Sequence, residues 1–159
     1  MTKVSAVTPP ILESVLPAAT FSDAYELVVK QRAGSYAFAK HILSAPPNWI
    51  NSLHSLRNTL MAPLGLKTDD APSTGEKFGL FPVISTDENR TVLGFDDKHL
   101  DFRIVLDAAP VADRSTKITL TTVVRTHNLF GRAYLAVVLP FHRIIARSML
   151  RQAATLRGQ

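Results

Sequence analysis

Asp96, Asp97, His99 and Asp101 put three carboxylates and one imidazole within six residues of each other. Oxygen and imidazole donors at that density could seat a divalent cation. The same string is what a hairpin turn asks of the backbone, and strict alternation sends Asp101 to the solvent face of its strand. The group is therefore read as a turn, with no metal site and no cofactor. A second group is Arg125, His127 and Arg132 around Asn128, where a strand gives way to a helix. Free backbone N–H groups at a helix start, with cations beside them, could hold a carboxylate or phosphate. A capped helix entry next to an ordinary histidine accounts for the same residues.

Two hydroxyls, Thr122 on a strand and Tyr134 on the last helix, fall on stripes that point inward. A buried hydroxyl needs a partner, so each orients a ligand or bonds to a neighbouring backbone carbonyl. Templates for catalysis are mostly missing: the chain has no glycine-rich phosphate loop, no GxSxG elbow and no HExxH. His41, His54 and His142 sit in helical stretches with no carboxylate at useful spacing. Tyr134 and His127 remain as candidate acid or base. Cysteine is absent, which excludes disulfides, thiolate nucleophiles and thiolate zinc sites.

The elements that must position these residues follow from pattern. The 159 residues suit one domain, residues 21–159, preceded by a Pro- and Ala-rich surface tail, residues 1–20. Phe21 to Val29 alternates as a strand. Ala33 to Ser44 has helical spacing and stops at Pro46-Pro47. Asn48 caps a second helix whose stripe is Trp49, Leu53, Leu56, Leu60 and Leu64. After a loop over 67–76, four strand-like runs follow: Lys77–Ser85, Thr91–Phe95, Leu100–Leu106 and Lys117–Arg125. A four-residue turn between the second and third pairs Phe95 with Leu100. From Phe130 a helix of five turns carries an apolar stripe at 130, 133, 134, 137, 138, 141, 144, 145, 148 and 149, with Arg132, Arg143, Arg147 and Arg151 opposite. Pro140 should kink it or remove one of its backbone hydrogen bonds.

Charge is segregated along the chain. Up to Asp113 there are 10 Lys and Arg against 13 Asp and Glu; after it there are eight Lys and Arg and no acidic residue. The basic end could suit an anionic partner, or it could solvate the helix and complement its dipole. The N-terminal stretch, broken by Pro9, Pro10, Glu13 and Pro17, does not read as a signal peptide. The uncharged run Ala133–Phe141 is far short of the roughly 20 residues of a membrane span. A soluble cytoplasmic protein with no membrane span is expected, and a nucleic-acid partner is not.

The strings Gly79-Leu80-Phe81-Pro82-Val83, Leu93-Gly94-Phe95-Asp96-Asp97-Lys98-His99-Leu100-Asp101-Phe102-Arg103, Leu120-Thr121-Thr122, His127-Asn128-Leu129-Phe130-Gly131-Arg132-Ala133-Tyr134 and Pro140-Phe141-His142-Arg143 resemble an uncharacterised bacterial domain family. That family is placed in the START/polyketide-cyclase-like superfamily (SRPBCC), and the resemblance spans roughly residues 15 to 155. It implies an α+β helix-grip fold, START/Bet v-like, in the order β-α-α-β-β-β-β-α, with a curved antiparallel sheet wrapped around the C-terminal helix. It also implies a cavity between the two. Trp49, Phe95, Phe102, Ile104, Leu120, Thr122, Tyr134, Val138 and Phe141 would line that cavity around a small hydrophobic or amphipathic ligand. A cyclase- or aromatase-like enzyme using the same cavity is the alternative, and a regulatory module using the basic helix face is a third reading. Fold alone does not choose among them.

Overall fold

Strict alternation of side chains builds one antiparallel sheet, and its two faces are both covered. In a computed structural model of the protein, residues 3–44, 75–78, 81–96 and 99–156 are described. Trp49 and the helix expected from Asn48 lie outside them. The elements run β1 (Ser5–Val7), β2 (Phe21–Val29), α1 (Ser35–Ser44), β3 (Lys77–Phe78), β4 (Phe81–Thr86), β5 (Arg90–Asp96), β6 (Leu100–Val111), β7 (Ser115–Thr126) and α2 (Leu129–Arg151), closing with a 3-10 turn, Gln152–Thr155. The seven strands lie in the order β1-β2-β7-β6-β5-β4-β3, every neighbour antiparallel. The first long strand thus pairs with the last, and the chain returns to its start before entering α2. This α+β arrangement of an antiparallel sheet and a long C-terminal helix is compatible with a helix-grip-like fold.

On the inner face Tyr25, Leu27, Leu93, Ile104, Leu106, Ile118 and Leu120 pack with Phe38, Ile42 and Leu43 of α1 and Ala146, Met149 and Leu150 of α2. Burying each Leu, Ile or Phe is worth about 1.5–3 kcal/mol before chain entropy is charged against it. The α1 N-terminus is tied to the β4–β5 turn: Ser35 Oγ donates to the Asp87 carbonyl at 2.8 Å and lies 2.9 Å from Thr91 Oγ1.

The outer face differs from the expectation of a wetter surface. Val92, Val105 and Val123 form a second apolar cluster, and Leu12 and Leu16 cover it. Within the stretch expected to be a surface tail, Ser5–Val7 therefore supplies β1 and Leu12 and Leu16 a lid over the sheet. The prolines and alanines of that stretch hide the signal, because two leucines spaced four apart suffice to cover a flat valine patch.

Three further differences concern registers and ends. Within Lys77–Ser85 there are two strands, with Phe78 paired to Phe81. Phe95 pairs with Phe102 and Asp96 with Asp101, two residues away from the expected Phe95–Leu100 match. That shift keeps every side chain on its expected face, since sheet parity is two. It also places a backbone carbonyl against Gly94: a Cβ there would lie 2.1 Å from the Phe102 oxygen, and φ is +152°, so only glycine fits. Lastly, β6 runs on to Val111, beyond the run expected to end at Leu106, because β7 pairs with it to Ser115.

Candidate functional site

The site is set by how α2 meets the sheet. At its start the His127 N–H donates to the His99 carbonyl at 2.9 Å, and Asn128 caps the helix by accepting from the Gly131 N–H at 2.9 Å. The Asn128 amide nitrogen also lies 2.8 Å from His99 Nδ1. A Cβ on Gly131 would fall 2.2 Å from the His99 oxygen, so glycine is what allows this approach. At the other end Ala146, Met149 and Leu150 are buried in the core. Between these anchors the sheet-facing residues Tyr134, Leu135, Val138, Leu139, His142 and Ile145 are only half-buried. The helix is pinned at both ends, and its half-buried middle forms a seam with the sheet.

A His–carboxylate pair sits in that seam. His142 Nε2 is 3.2 Å from Asp23 Oδ1 and 3.2 Å from Oδ2, with the side chains 17% and 19% exposed. The hydrogen bond goes to Oδ1; Asp23 Oδ2 is buried and accepts none. Phe21 meets the imidazole edge-on at 6.5 Å. Across the ladder Asp23 faces Thr122, Thr122 faces Ile104, and Ile104 faces Leu93. The next row over is aromatic: Phe102 stacks between Phe95 at 5.5 Å and Phe81 at 5.8 Å, all three half-buried. The seam is thus ionic at one end and apolar at the other. An aspartate beside imidazole fixes its tautomer and orientation, the usual support of a general base.

Sequence reasoning missed this pair. His142 reads as a helix histidine with no carboxylate nearby, and Asp23 as an ordinary strand residue. One signal was available: Asp23 shares its face of β2 with Tyr25, Leu27 and Val29, where a charge needs a partner.

The expected site residues fall in different places. Phe95, Phe102, Ile104, Leu120 and Thr122 share the inner face of the sheet, and Tyr134 and Val138 face it from α2. Phe141, expected to line a cavity, is instead 49% exposed. The stripe beginning at Phe130 is rotated: Phe130, Val137, Phe141 and Ile144 face outward, and the buried positions are Gly131, Ala146, Met149 and Leu150. The reason is that α2 is apolar over most of its circumference, so periodicity alone does not choose the docked face. The helix runs unbroken through Pro140.

Arg125 and His127 do converge, but on an internal carboxylate. Asp101, expected on the solvent face, is buried on the outer side of the sheet, with Arg125 on Oδ2 at 2.5 Å and His127 on Oδ1 at 3.0 Å. Burial pushes the Asp101 carboxyl up, yet the hydrogen bonds from His127 and Arg125 outweigh it and hold it below the ordinary aspartate range. Arg125 also donates to the Pro17 carbonyl at 3.1 Å, locking the N-terminal lid to β7. Arg132 stands apart from them, exposed on α2. Of the acidic turn, Asp97 lies outside the described residues and Asp96 pairs with Arg103 at 2.8 Å. No group of three or more metal-ligating side chains occurs among the described residues. A surface depression at the β1–β2–β7 end, with Lys3, Glu26, Lys30 and Ser115 among its lining, is separate from the seam.

A family model described as a protein of unknown function, DUF2867, matches residues 15–149. The chain belongs to this family. The match begins within the N-terminal lid and ends at Met149, so it takes in the sheet, both halves of the Asp23–His142 pair and nearly all of α2. No curated protein and no solved structure matches the chain.

Proposed function

We propose that this DUF2867 protein binds a small amphipathic molecule in the seam between the inner face of the sheet and the middle of α2. On this reading the apolar part of the ligand lies along Phe102, Ile104, Leu120 and Val138, and a polar head reaches Asp23, His142 and Thr122. The observation that carries it is the buried Asp23 Oδ2 with no hydrogen-bond partner, beside a helix whose inward residues are half-buried between two firmly packed ends. That oxygen has the His142 imidazole 3.2 Å away as an ion-pair neighbour, and a ligand hydroxyl or amine would add the hydrogen bond it lacks. Mostly apolar walls with a few converging polar groups are the usual make-up of a small-molecule site. The strand order, with β2 beside β7 and α2 laid across them, supports placing the family among START/Bet v-like helix-grip proteins, where ligands occupy this position. The test is native mass spectrometry of protein purified gently from its own host, followed by extraction, alongside displacement of a fluorescent apolar probe. Ile104→Trp and Val138→Trp should fill the seam and abolish probe binding while the fold persists. Empty protein in repeated preparations, with no probe binding, would sink the proposal.

One observation favours catalysis as a second reading. His142 turns Nε2 to Asp23, which leaves Nδ1 as the nitrogen for a bound substrate, and a carboxylate-oriented imidazole in a partly dry seam suits proton abstraction of the cyclase kind. Turnover of the extracted ligand, lost in His142→Gln with its binding retained, would select this reading over simple carriage.

A further inference from the structure

The outward face of α2 carries apolar side chains that neither the core nor the seam uses. Leu129 is 79% exposed, Val137 66% and Ile144 59%, and Ala133, Ala136 and Pro140 are exposed with them. At about 100° per residue, Leu129, Ala133, Val137, Pro140 and Ile144 fall within a sector of about 80° on the side away from the sheet. Arg132 and Arg143 run along one flank of this stripe, and Arg147 and Arg151 continue its line toward the C-terminus, all four exposed. Arg147 lays its guanidinium over the Tyr25 ring at 5.3 Å. Because no acidic residue follows Asp113, the helix supplies no carboxylate to neutralise these charges.

We infer that this face rests on an anionic phospholipid bilayer, with the axis of α2 in the plane of the surface. An apolar stripe bordered by arginines is the pattern of a helix that sinks its apolar side to the acyl boundary and keeps its cations among the headgroups. The shape favours lipid: the exposed stripe is the convex side of a helix, and a fluid surface receives a convex ridge without needing a complementary shape. Charge selects anionic lipid, since each arginine near such a surface adds attraction. By length and composition Leu129–Thr155 is apolar enough to cross a membrane. Crossing would pull Ala146, Met149 and Leu150 out of the core and break the Asp23–His142 pair, so the helix lies on the bilayer and does not traverse it. Held this way, α2 presents its seam side to the protein and its outer side to lipid.

The test is flotation of the full chain with vesicles of phosphatidylcholine alone and of phosphatidylcholine containing phosphatidylglycerol. Binding should be tenfold or more stronger to the anionic vesicles and fall with added salt. Arg132→Gln, Arg143→Gln and Arg151→Gln should each weaken it about fivefold at low salt. The double variant Val137→Asp/Ile144→Asp should abolish binding with an unchanged Tm. No flotation, or equal flotation with both vesicle types, overturns the inference. So does a marked loss of Tm in the aspartate double variant, which would show this face packed within the chain itself. A dimer in sedimentation equilibrium that the same variant dissociates would overturn it too, making a second copy the occupant.

Discussion

His142 on α2 donates across 119 residues of chain to Asp23 Oδ1 on β2, at 3.2 Å. The pair spans the interface between helix and sheet at the polar end of the seam, so it bears on stability and on chemistry together. His142→Phe leaves a mostly buried carboxylate without its donor and should cost about 1–2 kcal/mol. Removing both partners, as Asp23→Leu/His142→Phe, should cost less than the sum of the two single changes. Urea denaturation of the four proteins measures the coupling, and strictly additive costs would show that the two side chains do not interact in solution.

Asp101 gives the fold an acid-sensitive tie. Its folded pKa lies below the unfolded one, through the His127 and Arg125 hydrogen bonds that overcome burial. The pair therefore contributes stability that is fully present above about pH 5 and is lost as pH falls through the folded value. Asp101→Asn should lower stability at neutral pH by about 1–3 kcal/mol, at the modest end because Arg125 keeps a third of its side chain in water. Its thermal midpoint should also fall less steeply than the parent's between about pH 5 and pH 2. Parallel acid limbs for the two proteins would contradict this assignment.

Leu16 separates a packed N-terminal lid from a loose tail. It is buried against Val92, Val105 and Val123, so Leu16→Ala should cost about 2–4 kcal/mol, whereas the same change in a solvated tail would cost almost nothing. Chemical denaturation decides between the two. Proteolysis should point the same way, with cleavage before Leu12 leaving stability largely intact and cleavage after Leu16 destabilising the sheet.

Thr121 is a position where a substitution should stabilise the fold. Its Oγ1 is buried with no hydrogen-bond partner, and it lies beside Val105 in the ladder. Thr121→Val keeps the shape and removes an unsatisfied hydroxyl, so it should raise stability by about 1 kcal/mol. A loss of stability would point to an ordered water satisfying the hydroxyl.

Local pattern was enough to read most of the elements. Alternation over Phe21–Val29 gave β2 end to end, Asn128 is the observed cap of α2, and the faces of β5, β6 and β7 follow from parity, which a register slip of two leaves intact. These signals are local because backbone geometry repeats every two residues in a strand and every 3.6 in a helix. Tertiary structure alone decided three things. It set which side of α2 docks, because a helix apolar around most of its girth has no single preferred face until Gly131 and Leu150 fix its ends. It made Leu12 and Leu16 a lid, because the valine patch they cover exists only once β5, β6 and β7 lie side by side. And it brought Asp23 to His142, a pairing of residues far apart in sequence that no periodicity encodes; only the return of β7 beside β2 carries α2 over the start of the sheet.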